Sequence, residues 1–594
     1  MPDLLQEVKI FKGIKNDEDI KEIPIDYLYE ATNYNFPNVG IQGLEKITMP
    51  SRINDLGDGA VDGVFEYRFL DESNKLQVQQ IGVCNGSIYK DILTTPVLLR
   101  SGISTGKCTF AVLNDKLYIA NGKDYVYVYD GAKGKVSQMG APIAEENGIG
   151  ILTGTYYWAM TYVTAGGEEI LGSVSNTLTS TNKRIDLTLP IGYAGVTSRK
   201  IYRTEAGGST LKLLTTIADN TTLTYTDNIV DAALGVVIGS ADNELPKPYF
   251  IAVFNERLIG AKVDLYPTQV FISDTEIDMF DLGNGLDIAN YADDNSPVEG
   301  LGIDFSNVIV GTTKHIYIIS VGTSITVTTT RVNIGIKDGY SVKRIPTFGN
   351  FNGGLMFVSS NNDVRVLVGL RALPVSTSVD NIFSENFAQN IRGTLINALK
   401  SPSNIYAEYF NYKYHLIIDG NKYVFDIRTN GWTYHEIQTE NYKSSPLILG
   451  LLGDYLYNGQ VDGWIEQEYK DIQYRDEEVI ATIKSPNIFV STKYKAIQKF
   501  IFWFLPSADN ELDVEVIADD DRYLTEDATF NFIGGSYDEL DYDEADFETG
   551  GDLEYKVFNV HRNVRWIRFI LRNTKGNIIF SSWGVVAQPL KGKE

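Results

Sequence analysis

The sequence predicts an all-β protein: a β-propeller of six or seven blades, interrupted by an inserted β-sandwich and followed by a C-terminal β-sandwich. The first observation is a strand, turn and strand phrase that recurs at intervals of roughly 40 to 50 residues, as propeller blades do. The second is period-two alternation of apolar and polar residues between Asn, Asp and Gly turns, which indicates strands and hairpins. The third is composition, because 36 Tyr and 27 Phe against 6 Met favour pleated sheets.

The repeated phrase joins an apolar strand, a tight polar turn and an aromatic-rich strand, in different letters each time. An earlier copy is expected around residues 76–92. The clear copies begin at Leu113 (LNDKLYIANGKDYVYVYD), Phe254 (FNERLIGAKVDLYPTQVFISD), Phe305 (FSNVIVGTTKHIYIIS), Phe351 (FNGGLMFVSSNNDVRVLVG), Tyr409 (YFNYKYHLIIDGNKYVFDIRTNGW) and Leu451 (LLGDYLYNGQVDGWIEQEY).

The phrase and its interruptions divide the chain into five parts. Residues 1–40 form an N-terminal segment and residues 41–144 the first blades. Residues 145–240 form the inserted domain, residues 241–476 the remaining blades and residues 477–594 the C-terminal β-sandwich. Helical periodicity is confined to one short stretch, residues 384–399, which is predicted to connect two blades.

Composition excludes several classes of protein. The net charge of −25, from 77 acidic and 52 basic residues, argues against gripping nucleic acid by its phosphates, although DNA could still pass through the protein. Two cysteines, Cys84 and Cys108, cannot supply a disulfide framework and favour assembly in a reducing cell. The first 22 residues lack the pattern of a signal peptide, and no apolar run is long enough for a membrane-spanning helix.

The inserted domain resembles a fibronectin type III module. The resemblance rests on residues 200–204 (KIYRT) and 223–227 (LTYTD), which are similar to the strand endings of that family. Six or seven short strands with turns every 8 to 12 residues are also typical of a sandwich. The resemblance implies a spacer or a contact surface rather than a chemistry.

Motifs of catalysis and metal binding are absent from the sequence. His315, His415, His435 and His561 show no metal-binding spacing, and each is predicted to be a strand residue with a satisfied ring. No GxSxG, Walker or CxxC motif occurs. Two acidic clusters, Asp519, Asp520 and Asp521 and also Asp55, Asp58 and Asp62, lack the register of a calcium loop. We therefore expect no catalytic residue, no cofactor and no metal.

A glycosidase remains an alternative, because two facing carboxylates suffice for that chemistry and propellers often carry them. Residues 426–432 (DIRTNGW) faintly resemble the Asp-box turn of sialidase propellers, but the spacing is too long and the motif does not recur. The favoured interpretation is a hairpin turn with a packed Trp432.

The most acidic stretch, residues 538–554, carries nine carboxylates and no basic residue. Mutual repulsion predicts an extended, solvated loop. It is also the candidate acidic channel loop of the chain, with the residues Asp538, Glu539, Asp541, Asp543, Glu544, Asp546 and Glu548.

The order of the parts resembles that of the tail nozzle proteins of short-tailed bacteriophages, also called packaged DNA stabilisation proteins or tail tubular protein B. Residues 11–36 (FKGIKNDEDIKEIPIDYLYEATNYNF), 329–369 (TTRVNIGIKDGYSVKRIPTFGNFNGGLMFVSSNNDVRVLVG) and 562–587 (RNVRWIRFILRNTKGNIIFSSWGVVA) carry the resemblance. The inserted domain departs from the simplest members of that family.

The resemblance implies a virion tail protein without enzymatic activity, assembled in the host cytoplasm as a homohexamer. Its implied partners are a portal or head-tail adaptor ring, tail fibres or other tail proteins, and double-stranded DNA that passes through without sequence-specific binding. The alternatives are a receptor- or glycan-binding propeller adhesin and, second, a glycoside hydrolase on a propeller.

Overall fold

The computed structural model describes residues 4–589, apart from 9–10, 13, 16–19, 21, 37–42, 276–278, 292–294, 305, 323–324, 328–330, 350, 377–397, 472, 490–493, 507–509, 519–527, 533–553, 560–565 and 577. The chain forms two compact units, one of residues 1–53 and 343–594 and the other of residues 54–342. The fold is all-β and propeller-like, as predicted. Three short 3-10 helices have defined ends in the described residues: Asp231–Ala233, Ile288–Tyr291 and Gly339–Ser341.

No helix in the described part of the chain has the length and hydropathy needed to cross a bilayer. Nearly all of the predicted connector, residues 384–399, lies outside the described residues. Cys84 and Cys108 are buried free thiols.

In the unit of residues 54–342, the described residues form four antiparallel, four-stranded sheets outside the inserted module, which we name meanders 1 to 4. Meander 1 comprises Val61–Leu70, Leu76–Cys84, Ser87–Lys90 and Val97–Ser101, and meander 2 comprises Thr109–Leu113, Lys116–Ala120, Tyr127–Asp130 and Lys135–Gln138. Meander 3 comprises Phe250–Phe254, Arg257–Val263, Tyr266–Ser273 and Phe280–Asp287, and meander 4 comprises Val298–Asp304, Asn307–Thr312, Ile316–Val321 and Ile325–Val327. Their first strands lie side by side in this order.

Strand alternation buries both faces of these meanders. In meander 2, Leu117 and Ile119 belong to a buried cluster shared with meander 1, whereas Tyr118 and Ala120 belong to a cluster shared with meander 3. Successive side chains of a strand point to opposite faces, so a strand between two neighbouring sheets is apolar on both. This stacking of small sheets is the propeller-like feature of the unit.

Three copies of the repeated phrase share the same type of turn between their first two strands. The two-residue turns Asn114–Asp115, Asn255–Glu256 and Asn411–Tyr412 all have positive φ, between 47° and 63°. Two central residues with positive φ make a type I′ turn, whose twist matches that of the paired strands and which favours Asn. In each case the flanking residues pair directly, as Leu113 does with Lys116.

The inserted module lies between meanders 2 and 3 and consists of two sheets. One contains Ile143–Tyr156, Leu178–Thr188 and Thr224–Asp227. The other contains, in spatial order, Leu211–Ile217, Val196–Thr204, Trp158–Thr164, Glu169–Val174 and Asn243–Glu244. The sheets share a buried cluster that includes Trp158, Tyr162, Ile185 and Ile201.

A buried ion pair links the two sheets of the module. Nη1 of Arg203 donates to both carboxylate oxygens of Asp227 at 2.9 Å, and both side chains are fully buried. Nη2 of Arg203 donates to Asp231 at 2.7 Å, and the indole of Trp158 donates to Asp227 at 2.9 Å. Each charge is therefore compensated where water is excluded.

Within the described part of the other unit, residues 1–53 and 343–594, three more four-stranded arrays are present. Meander 5 comprises Lys343–Ile345, Gly354–Val358, Val364–Val368 and Arg371–Pro374, and meander 6 comprises Ile405–Phe410, Lys413–Ile418, Asn421–Asp426 and Gly431–His435. Meander 7 comprises Pro446–Leu452, Tyr455–Gln460 and Trp464–Asp471, and the distant strand Met49–Asp55 completes it.

The terminal β domain is built from both ends of the chain. One sheet contains Tyr34–Asn35, Leu44–Lys46, Ile578–Pro589, Tyr494–Pro506 and Glu554–Asn559, with Leu4–Val8 also paired to Ile578–Pro589. The other continues from meander 6 through Glu30–Thr32, Ala481–Lys484, Trp566–Lys575, Asn510–Ala518 and Ala528–Phe532, with Ile488–Phe489 paired to Trp566–Lys575. Phe11, Tyr34 and Leu44 share one buried cluster with Phe580 and Trp583. The N-terminal stretch thus forms part of the core of this domain.

Candidate functional site

A cavity of about 240 Å³ lies beside meander 6, in the unit of residues 1–53 and 343–594. Its wall includes Asn35, Lys46, Lys413, His415 and Tyr469. Lys46, Lys413 and His415 are 2%, 6% and 0% exposed. Two amines and an imidazole are thus held inside the fold, where ionisable groups are normally paired.

The type I′ turn Asn411–Tyr412 places two of these side chains. Phe410 pairs directly with Lys413, so the strand begins at the lysine. Alternation then puts Lys413 and His415 on the same face of the strand, and both line the cavity.

The His415 ring is held by Tyr469. The Tyr469 hydroxyl lies 3.2 Å from Nδ1 of His415, and Nε2 of His415 makes no hydrogen bond. Burial lowers the pKa of His415 well below its usual value, and Lys422 and Lys413 lower it further against the opposing Phe410 carbonyl. His415 is therefore neutral. If the Tyr469 hydroxyl donates to Nδ1, the ring proton is on Nε2, beside the cavity.

A second histidine lies on the other side of Tyr469. The ring centroids of His415 and His435 are 5.8 and 6.3 Å from that of Tyr469. Nε2 of His435 lies 3.1 Å from Oδ1 of Asn35, whereas Nδ1 has no hydrogen-bond partner. Each ring thus has a hydrogen-bond partner at one nitrogen, whereas the other nitrogen is buried without one.

The two lysines of the cavity differ in their surroundings. Lys46 lies 3.7 Å from Glu478, and its Nζ makes no hydrogen bond. Burial lowers the pKa of Lys46, which Glu478 partly opposes. Burial also lowers the pKa of Lys413, to about 8, against the attraction of Asp426. Lys413 makes no side-chain hydrogen bond or ion pair to any described residue.

A buried acidic network adjoins this region on meander 7. Glu468 accepts from Lys422 at 2.6 Å and from Asn458 at 3.0 Å. Glu466 accepts from Gln460 at 2.8 Å and from Tyr474 at 2.9 Å. Burial, with a smaller contribution from Glu468, raises the pKa of Glu466 to about 7, although Tyr474, Arg52 and Asn458 lower it.

The candidate acidic channel loop lies outside the described residues. This applies to Asp538, Glu539, Asp541, Asp543, Glu544, Asp546 and Glu548, and equally to Asp519, Asp520, Asp521 and His561. In the other acidic cluster, Asp55 accepts from the Gly57 amide and Asp62 is buried with Oδ2 unbonded. Within the described ranges, no three His, Cys, Asp or Glu side chains are grouped as metal ligands.

The Asp-box-like stretch is a hairpin turn, as predicted. The Asp426 carboxylate pairs with Arg428, and Trp432 is fully buried with its indole donating to the Val375 carbonyl at 3.2 Å. The cationic cavity was not predicted from the sequence, because nothing in the letters around Lys413 distinguishes it from other basic residues that follow a turn.

Comparisons with known proteins give structural likeness alone. No family model matches the chain, and no curated protein matches it. Among solved structures it is similar to the computationally designed Ika8 protein (11% identity, 70% of this chain and 99% of that chain, TM-score 0.31). It is also similar to YCF48 bound to a D1 peptide (9%, 75% and 98%, TM-score 0.26) and to a chain of the mitotic checkpoint complex (9%, 71% and 92%, TM-score 0.25). At such scores these likenesses carry no argument about function.

Proposed function

We propose that the protein is a structural virion component, the tail nozzle of a short-tailed bacteriophage. In this role it extends the portal and adaptor channel, retains packaged DNA and gates its ejection. Three stretches of sequence support the proposal by resemblance: residues 11–36, 329–369 and 562–587. The observation that carries it is the order of parts, in which meanders are interrupted by one module and both chain ends contribute to a terminal β domain.

We further propose that the four-stranded meanders are propeller blades. The inserted module is then a fibronectin type III-like sandwich, supported by its sheets of three and five strands. The terminal β domain is a sandwich, supported by one buried cluster between its two sheets.

The charge of the chain supports passage of DNA rather than binding. A net charge of −25 repels phosphate, so DNA gains no adhesion from counterion release and can slide under pressure. Six copies of the acidic loop at residues 538–554 around one axis would multiply this repulsion. Replacing Asp541, Asp543, Glu544 and Asp546 by Asn or Gln is expected to alter DNA retention or ejection. Unchanged retention and ejection would remove the loop from the proposal.

The deciding experiment is the copy number of the protein in purified virions, by quantitative mass spectrometry against the portal protein. About six copies are expected, since one heterologous contact that closes on rotation makes a ring. Three copies, or a multiple of three other than six, would favour the adhesin. Absence from virions would overturn the proposal, and release of sugar from glycans would then be assayed.

A further inference from the structure

Meanders 2, 3 and 6 each have a basic residue directly after the first turn and an acidic residue nearby. The residue after the type I′ turn is basic in meanders 2, 3 and 6: Lys116, Arg257 and Lys413. Lys116 pairs in register with Asp130, as Lys413 does with Asp426. In meander 3, Arg257 lies 4.0 Å from Asp274.

In meander 6 another cation occupies the acidic partner. Nε of Arg428 donates to Asp426 at 2.9 Å, and Nη2 contacts the other carboxylate oxygen. Because Asp426 is held by this two-point contact, Lys413 is left beside the cavity without an ion pair in the described part of the chain. A largely buried ammonium without a close counter-ion is costly to keep charged, and an anion in the cavity would offset that cost.

Two other nitrogen atoms of the cavity lack a hydrogen bond. These are Nζ of Lys46, which lies 3.7 Å from Glu478, and Nε2 of His415, and both atoms are buried. Among the described residues of the wall, Glu45 is the one carboxylate. The cavity therefore offers two ammonium groups and one imidazole nitrogen, and it lacks the cluster of oxygens that a hard cation requires.

We propose that this cavity binds a small phosphate anion through Lys46, Lys413 and His415. A tetrahedral oxyanion accepts hydrogen bonds from several directions, and lysine binds phosphate as a compact point charge. The volume of about 240 Å³ equals roughly eight water molecules at about 30 Å³ each, which accommodates phosphate or a small phosphomonoester. The proposal is independent of the nozzle function.

The test is isothermal titration calorimetry of the protein of residues 1–594 at pH 7. Inorganic phosphate is the titrant, and chloride at equal ionic strength is the control titrant. One saturable site in the micromolar to millimolar range is expected. Parallel titrations with O-phosphoserine and adenosine monophosphate distinguish free phosphate from a phosphomonoester as the preferred source. Absence of saturable binding in all three titrations overturns the proposal.

Variants locate the site. Lys413→Met keeps the aliphatic stem and is expected to weaken phosphate binding by at least about tenfold, the effect of one charged hydrogen bond. Lys443→Met removes an exposed lysine that pairs with Glu436, and it should bind as the wild type does. Equal binding by Lys413→Met and Lys443→Met would place the phosphate elsewhere and overturn the proposal.

A second variant, expected to strengthen phosphate binding rather than weaken it, provides a test if Lys413→Met does not fold. Glu45→Gln removes the carboxylate of the cavity wall, so it should tighten phosphate binding severalfold by relieving repulsion. Unchanged or weaker binding by folded Glu45→Gln, as judged by circular dichroism, would contradict a phosphate site in this cavity.

Discussion

At the scale of single residues, the burial of Lys413 makes the free energy of unfolding depend on pH. Its pKa is about 8 in the fold against 10.5 as the ordinary value, so the unfolded chain binds more protons between these values. Stability therefore rises with pH through this window. At pH 7 in phosphate-free buffer, the buried charge costs about 3 kcal/mol, and Lys413→Met should recover much of it.

The measurement for Lys413→Met is urea unfolding of wild type and variant at pH 7 and pH 10. The advantage of the variant should shrink towards pH 10, where wild-type Lys413 is largely neutral in the fold. The charged groups that act on Lys413 are Asp426 and Glu45, which attract it, and Arg428, which repels it. An advantage that is independent of pH would assign the effect to packing instead.

Glu466 gives the opposite dependence on pH. Its pKa is raised from 4.5 to about 7, so the fold binds more protons than the unfolded chain between these values. Stability contributed by this group is lost as pH rises from about 4.5 to 7, by about 3 kcal/mol in all. Relative to Glu466→Gln, the wild type should become less stable across that range in urea unfolding. Parallel pH profiles of the two proteins would contradict the shift.

At the scale of elements, the buried pair of the inserted module is the most sensitive point. Arg203→Met leaves the carboxylate of Asp227 buried and uncompensated, which should destabilise the module by about 3–5 kcal/mol. Hydrogen exchange of the strand Val196–Thr204 measures this loss. Lys212→Met, which breaks an exposed pair with Glu205, should cost less than about 1 kcal/mol. Equal effects of the two variants would refute the role of burial.

Local elements were predictable because their signals are local. The turns after Leu113, Phe254 and Phe410 consist of consecutive residues, and the alternation of apolar and polar residues indicates the strands on either side. The pairing of Leu44 with Phe580 leaves no such signal, since strand partners distant in sequence share no turn. The cavity escaped prediction for the same reason, because its wall brings Lys46 and Tyr469, which are distant in sequence, beside Lys413.

At the scale of the whole molecule, the terminal β domain depends on the N-terminal residues. Deletion of residues 1–47 removes Phe11, Tyr34 and Leu44 from its buried cluster. We expect limited proteolysis to cleave rapidly within residues 477–594 of this variant, because the remaining apolar face is uncovered. Lys12→Ala alters an exposed pair with Asp26 in the same stretch and should leave the cleavage pattern unchanged. Wild-type resistance of the deletion variant would show that the domain folds without these residues.

The strand Met49–Asp55, which completes meander 7, is synthesised long before the strand that it pairs with. Its partner, Trp464–Asp471, leaves the ribosome more than 400 positions later, and the partner of Leu44 follows roughly 100 positions after that. At about 5–20 residues per second, the early strands wait on the order of half a minute or longer with their edges unpaired. Exposed edges invite association between chains, so we expect nascent copies to be most prone to aggregation until translation is nearly finished.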